Sequence, residues 1–145
     1  MKISNAEYKR LADRLAPKSN TPLNCLKAFL IGGGICALGQ GLKQLYLSLG
    51  TGEDPAGLLT SVSLIFLSAL LTGLGLYDDI AKHGGAGTLV PITGFANSVA
   101  APAVEFQTEG WVTGLAVKMF TIAGPVIVYG TLASVAYGVV LMLTH

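Results

Sequence analysis

Residues 84–104 read GGAGTLVPITGFANSVAAPAV. With no charged side chain in 21 residues, the stretch is apolar enough to enter a bilayer. It also holds four glycines, two prolines and an asparagine, which suit a straight helix poorly. Non-helical backbone at membrane depth survives only where protein buries it or where it lines a water-filled cavity. The segment is therefore read as the functional centre of a small membrane protein, part of a passage for solutes. Gly84, Gly85 and Gly87 permit unusual dihedrals and expose N–H groups. Pro91 and Gly94 bracket Ile92 and Thr93, where a helix is expected to break. Asn97 and Ser98 add polar groups after the break. Half-helices meeting near mid-membrane present N–H groups to anions or carbonyls to cations. A re-entrant hairpin and one kinked crossing both fit the length.

Downstream, EFQTEGW (residues 105–111) is a polar link ending in an interfacial tryptophan. Glu105 and Glu109 have no His or Cys nearby, so a solvated turn suits them better than a metal site. Residues 112–144 are apolar except for Lys118, and at 33 residues they exceed one crossing. Gly124-Pro125 is the expected break between a short segment, 112–123, and a last span, 125–143. Gly130, Ser134 and Gly138 form a face of small residues on that span. An intramembrane ionisable residue is a functional candidate, which points to Lys118; snorkelling to the interface is the alternative. The candidate pathway residues are thus Gly85, Gly87, Pro91, Thr93, Gly94, Asn97 and Lys118.

Upstream, YDDIAKH (residues 77–83) reads as a link at a helix exit. Acids sit badly with the dipole there, which leaves two readings: a solvated loop, the simpler one, or Asp78 or Asp79 paired with Lys82 or a neighbouring subunit. Residues 56–77 give 22 positions without a charge, about 33 Å of helix and enough to span. Ala69 and Gly73 are a close-approach pair. Before them SLGTGEDP is a turn, with Asp54-Pro55 as N-cap and first helical residue. Thr21-Pro22 reads as the N-cap and first helical residue of an earlier helix, running to about Leu47, on which Gly33, Ala37 and Gly41 form a small-residue stripe. Gln40 on this helix needs an amide partner on another helix or in a pore. In the first 20 residues, Ser4 and Glu7 make a capping-box pattern. Tyr8, Leu11 and Leu15 share a stripe, and Pro17 ends the short helix. That helix suits membrane-surface docking, contact with a soluble partner, or a solvated tail that only sets topology.

The totals agree. Apolar residues are 52% and charged residues 12%, against about 25% charged in a soluble domain. Six basic residues and two acids in the first 27 positions give 6 − 2 = +4, while the whole chain is only +1. The basic residues stop where the apolar runs begin, which argues against nucleic-acid binding and for a cytoplasmic N-terminus. Cys25 and Cys36 sit about 16 Å apart on one helix and cannot bridge. The first apolar run starts too late and runs too long to be a secretory signal. No nucleophile–base pair or metal-ligand spacing is present, so neither an enzyme nor a cofactor is expected. The expected fold is all-α. It is a polytopic membrane protein with three full transmembrane helices, broken or re-entrant helical segments and a short basic N-terminal helix. Residues 1–20 form the basic cytoplasmic segment and residues 21–145 the integral membrane domain.

Four strings carry a resemblance: NCLKAFLIGGGICALGQGL (24–42), LTGLGLYD (71–78), GAGTLVPITGFANS (85–98) and GLAVKMFTIAGPVIVYG (114–130). Together they resemble the SpoVAC/SpoVAEB family, over about residues 18–140. The basic tail and the Gly-Phe-Ala-Asn run favour the AC branch, since SpoVAEB proteins generally lack such a tail. Asp79 and residues 47–57 depart from the family pattern and put loop contacts in doubt. The resemblance implies a multi-pass protein of the spore inner membrane in endospore-forming bacteria. It implies a SpoVA subunit that moves dipicolinic acid, with its Ca2+, into the developing spore and out at germination. Implied companions are SpoVAEB-like membrane subunits and a soluble SpoVAD-like protein. One chain has too few spans to enclose a wide pore, so homo- or hetero-oligomers are expected. Two alternatives stay open: a tension-gated, poorly selective channel, and a scaffold recruiting a soluble partner through the basic tail.

Overall fold

The 28-residue helix Thr21–Ser48 has Asn20 at its N-cap, so Thr21 is its first helical residue rather than its cap, and Pro22 follows in a first turn where its missing N–H costs nothing. A computed structural model describes residues 5–15 and 20–144. The Ser4 capping position, the Pro17 stop and His145 lie outside the described residues. The helices are α1 (Asn5–Leu15), α2 (Thr21–Ser48), α3 (Glu53–Gly73), α4 (Leu76–Gly84), α5 (Pro91–Glu105) and α6 (Val117–Thr144). A 3-10 turn (Gly85–Thr88) precedes α5; another (Gln107–Glu109) and a π turn (Trp111–Ala116) lead into α6. No strand occurs among the described residues. Three helical stretches are long and apolar enough to cross a membrane: Thr21–Ser48, Glu53–Gly73 and Trp111–Thr144. This is an all-α, polytopic membrane protein.

Burial is the reverse of that in a soluble domain. Phe29, Leu58, Phe66 and Met142 are exposed, whereas the buried set includes Ala56, Thr60, Ser68, Thr88, Thr93 and Ala96. Lipid tails solvate large apolar side chains, so close helix approach is left to small and hydroxyl-bearing ones. The hairpin of α2 and α3 follows this rule. A Cβ on Gly39 would lie 3.3 Å from Leu64, the Tyr46 and Ser63 hydroxyls are 2.6 Å apart, and Lys43 pairs with Glu53 at 3.5 Å. The face of α2 used inside the chain carries Ala28, Gly32 and Gly39, not the expected Gly33–Ala37–Gly41 stripe, of which Gly33 and Gly41 meet nothing within 4 Å. On α3 the buried positions are Ala56, Thr60, Leu64 and Ser68, one helical turn apart, and not the Ala69–Gly73 pair.

Several boundaries differ from those expected. The α3 helix starts at Glu53 behind Gly52, so Asp54 and Pro55 are first-turn residues rather than cap and first position. It stops at Gly73, not Tyr77, because Gly75 turns left-handed at φ 73° and donates its N–H to the Thr72 carbonyl. Residues 76–84 are then a helix of their own. Asp78 and Asp79 lie in its first turn, where the dipole favours acids, so no misfit exists. Lys82 pairs with Asp78 at 2.9 Å and Asp79 at 3.0 Å, the second of the two readings. Hydrogen bonds to both carboxylates, aided by their charge, raise the Lys82 pKa. Finally, Gly124-Pro125 does not break the last helix: α6 runs through Pro125, and residues 112–123 are no separate segment. A transmembrane helix tolerates the one donor that proline removes.

The 84–104 stretch turns back rather than crossing. The start of its descending arm lies at the Thr21 end of α2, where Thr21, Asn24 and Cys25 share a cavity with Lys82, His83 and Gly85. The tip, Val90 and Ile92, faces Ile35, Cys36 and Gly39, near the middle of α2. The α5 helix then climbs alongside α3, with Thr93 on Ser68 and Asn97 on Thr72, until Glu105 shares a cleft with Asp78 and Ala81. Fifteen residues give about 22 Å, short of a bilayer core of about 30 Å. The expected break inside Ile92-Thr93 is therefore corrected. Pro91 is the first helical residue, Gly94 donates to the Val90 carbonyl at 2.7 Å, and the chain reverses before Pro91. The α6 helix then runs from the Glu105 end back across, its Met119 and Val126 lining one groove with Pro91, Ile92, Val99 and Ala100 of α5.

Cysteines placed one at a time at Asn20, Asp78 and Glu105, on a background with Cys25 and Cys36 replaced by serine, are expected to react with an impermeant maleimide from one side of a sealed vesicle. One at Thr51 should react only from the other. Labelling of Glu105→Cys from the Thr51 side would show a crossing instead.

Candidate functional site

A peptide that reverses inside a bilayer must find partners for its backbone there. Hydroxyls supply them. Tyr77, on α4, donates to the Thr88 carbonyl at 2.8 Å, and the Thr88 hydroxyl bonds the Gly85 carbonyl at 2.9 Å. Ser68, 1% exposed on α3, donates to the Thr93 carbonyl at 2.7 Å. The Thr72 hydroxyl lies 2.7 Å from the Ser68 carbonyl and 2.8 Å from the Asn97 side-chain oxygen. Its one proton serves only one of the two at a time. Ser68, Thr72, Thr93 and Asn97 thus form a polar seam between α3 and α5, enclosed by apolar helices.

Glycine lets the descending arm dock. A Cβ on Gly87 would collide with the Ala28 carbonyl of α2, and one on Gly32 would lie 3.1 Å from the Gly87 carbonyl oxygen. A Cβ on Gly94 would come equally close, 3.1 Å, to the Thr88 carbonyl oxygen. Gly85 has φ 49°, a conformation that favours glycine.

Two clefts approach the seam from opposite ends. One, of about 320 Å³, is lined by Thr72, Asn97, Asp78, Ala81 and Glu105 and opens at the Thr21 end. The other, also about 320 Å³, runs from Val90, Ile92 and Thr60 past Gln40 to Lys43. Carboxylates stand at one mouth and the Lys43–Glu53 ion pair at the other. Between the clefts lies the Ser68–Thr93 hydrogen bond. A larger apolar groove, about 720 Å³, lies outside the seam between α3, α5 and α6.

The seven sequence candidates separate into three groups. Thr93 and Asn97 meet in the seam; Gly85, Gly87 and Gly94 shape the hairpin; Pro91 starts α5 and lines the apolar groove. Lys118 joins none of them. Its ammonium lies 3.9 Å above the centre of the Phe106 ring, beyond the C-terminus of α5. Sequence reasoning misses Ser68, Thr72 and Tyr77 as partners, because a lone hydroxyl in an apolar run carries no sign of what it bonds. Cys25 and Cys36 are unbridged, and no metal-binding group of His, Cys, Asp or Glu occurs among the described residues.

Comparison with known proteins identifies the family. The family model described as SpoVAC/SpoVAEB sporulation membrane protein matches residues 24–140. The chain belongs to that family. It is also 48% identical to stage V sporulation protein AC of Bacillus subtilis (strain 168) over 134 residues, 92% of this chain and 89% of the relative. No solved structure matches. Within this SpoVAC/SpoVAEB chain, the seam and its two clefts are the candidate site.

Gly87→Val should cost about 1–3 kcal/mol, the usual range for overpacking, and lower the thermal transition in detergent. Gly33→Val, on the open face of the same bundle, should leave it almost unchanged.

Proposed function

We propose that the protein is a membrane subunit of the SpoVA assembly that passes dipicolinic acid, with Ca2+, across the spore inner membrane during sporulation and germination. The supporting observation is the pair of clefts that end on either side of a seam of small hydroxyl and amide side chains between α3 and α5. Dipicolinate is a flat aromatic dianion and its one-to-one calcium chelate is neutral. A path lined by backbone dipoles, Thr72, Thr93 and Asn97, with charges only at its mouths, replaces hydration without trapping either form. The present arrangement is a closed one, and separating α5 from α3 joins the clefts. The Thr21 end is assigned to the cytoplasm. Five of the nine Lys and Arg residues precede Thr21 in the sequence and Lys82 lines a cavity with Thr21, whereas Lys43 pairs with Glu53 toward the other end. SpoVAEB-like and SpoVAD-like subunits are the companions this reading requires.

A tension-gated, poorly selective channel is the second reading, favoured by the apolar groove between α3, α5 and α6 and by the exposure of every residue of α6 from Pro125 to Thr144. Such surfaces couple a helix to the lipid around it.

Asn97→Leu and Thr72→Val are each expected to lower spore dipicolinate several-fold at unchanged protein level. Normal dipicolinate in both would remove the seam from the pathway. Patches of liposomes holding the purified protein separate the two readings: suction-evoked currents indifferent to dipicolinate favour the second.

A further inference from the structure

The basic helix at the head of the chain belongs to neither the seam nor its clefts. Over Asn5–Leu15, Tyr8, Leu11 and Leu15 fall within one arc about 60° wide at 100° per residue, and all three side chains are exposed, at 69%, 47% and 79%. By the same step Glu7 borders that arc on the Leu11 side, and Lys9 and Arg10 stand farther round, each about 100° from its edge, one on each side. Residues 1–20 hold five basic residues and two acids, 5 − 2 = +3. Only five residues separate Leu15 from Thr21, where the first membrane span begins. Fully extended, that link reaches about 20 Å. The α1 helix is therefore held within reach of the headgroups at all times.

We propose that α1 lies in the membrane interface, with Tyr8, Leu11 and Leu15 set into the headgroup boundary and its basic residues on anionic phospholipid. An apolar arc with long basic side chains to either side is the arrangement that lets the chain carbons sink while the charges stay in water. The charge of the tail is complementary to an anionic leaflet and not to a neutral one. A soluble protein is a poorer occupant. Three apolar side chains on an 11-residue helix fall well short of the roughly 800 Å² per partner of a stable interface. A bilayer needs no such area, because the tether already supplies the encounter.

The test uses the full chain in nanodiscs, with Cys25→Ser, Cys36→Ser and Leu11→Cys, the new thiol carrying an environment-sensitive fluorophore. In an equal mixture of phosphatidylglycerol and phosphatidylcholine the probe should shift to the blue, and quenching by aqueous iodide should fall several-fold relative to phosphatidylcholine alone. High salt, or Lys9→Glu with Arg10→Glu, should return it to the quenched state, and inorganic phosphate in place of the anionic lipid should have no effect. A control labelled off the apolar arc, made as Lys9→Cys, should remain accessible. The proposal is overturned if the Leu11 probe is quenched alike in both bilayers, if charge reversal leaves it shielded, or if shielding appears only when soluble protein is added.

Discussion

Everything in this structure depends on one requirement: a peptide that turns round in hydrocarbon must have its polar groups answered there. Here the answers come from side-chain hydroxyls on two other helices. Tyr77 reaches the Thr88 carbonyl before the turn and Ser68 the Thr93 carbonyl after it. Glycine lets the partners come close enough, since Gly87 lies directly against the Ala28 carbonyl. The α2–α3 hairpin is the frame on which this reversal is hung, and α4 brings Tyr77 beneath it. Function and stability are therefore hard to separate in the seam, because the groups that face the clefts are those that hold α5 to α3.

Much of the fold is legible in the sequence, for a plain reason. Spans announce themselves by length and lack of charge, so α2 and α3 emerge with small errors at their ends, while the last helix is recognised as apolar but wrongly cut in two at Gly124-Pro125. The special status of residues 84–104 is also legible, because glycine and proline have no business in a lipid-facing rod. What fails is the placement of breaks. Pro91 and Pro125 both look like interruptions. One starts a helix and the other sits inside one, because proline removes a donor without deciding where the chain must turn. Gly75, a left-handed residue that closes α3, is the more informative position.

The site is less legible than the fold. Thr93 and Asn97 stand out for their place in the hairpin, but Ser68 and Thr72 have nothing to mark them. Their role comes from register between α3 and α5, which sequence spacing within one helix does not carry. Lys118 stands out for its charge alone, and its place over Phe106 gives that charge a local partner. The small-residue stripes mislead for the same reason. Gly33 and Gly41 have the spacing of a packing face, yet the register of α2 turns Gly32 and Gly39 inward instead.

The spans are unequal, and that has a consequence for where this protein can reside. At 1.5 Å per residue, the 21 residues of α3 cover about 32 Å and the 34 of Trp111–Thr144 about 51 Å. A bilayer of about 40–45 Å including its headgroups accommodates the longer rod only at an incline. The far half of α6, exposed without a break beyond Pro125, has little packing within the chain to oppose such an incline. The lean of that rod is then a gauge of membrane thickness, more upright in a thick sheet and flatter in a thin one.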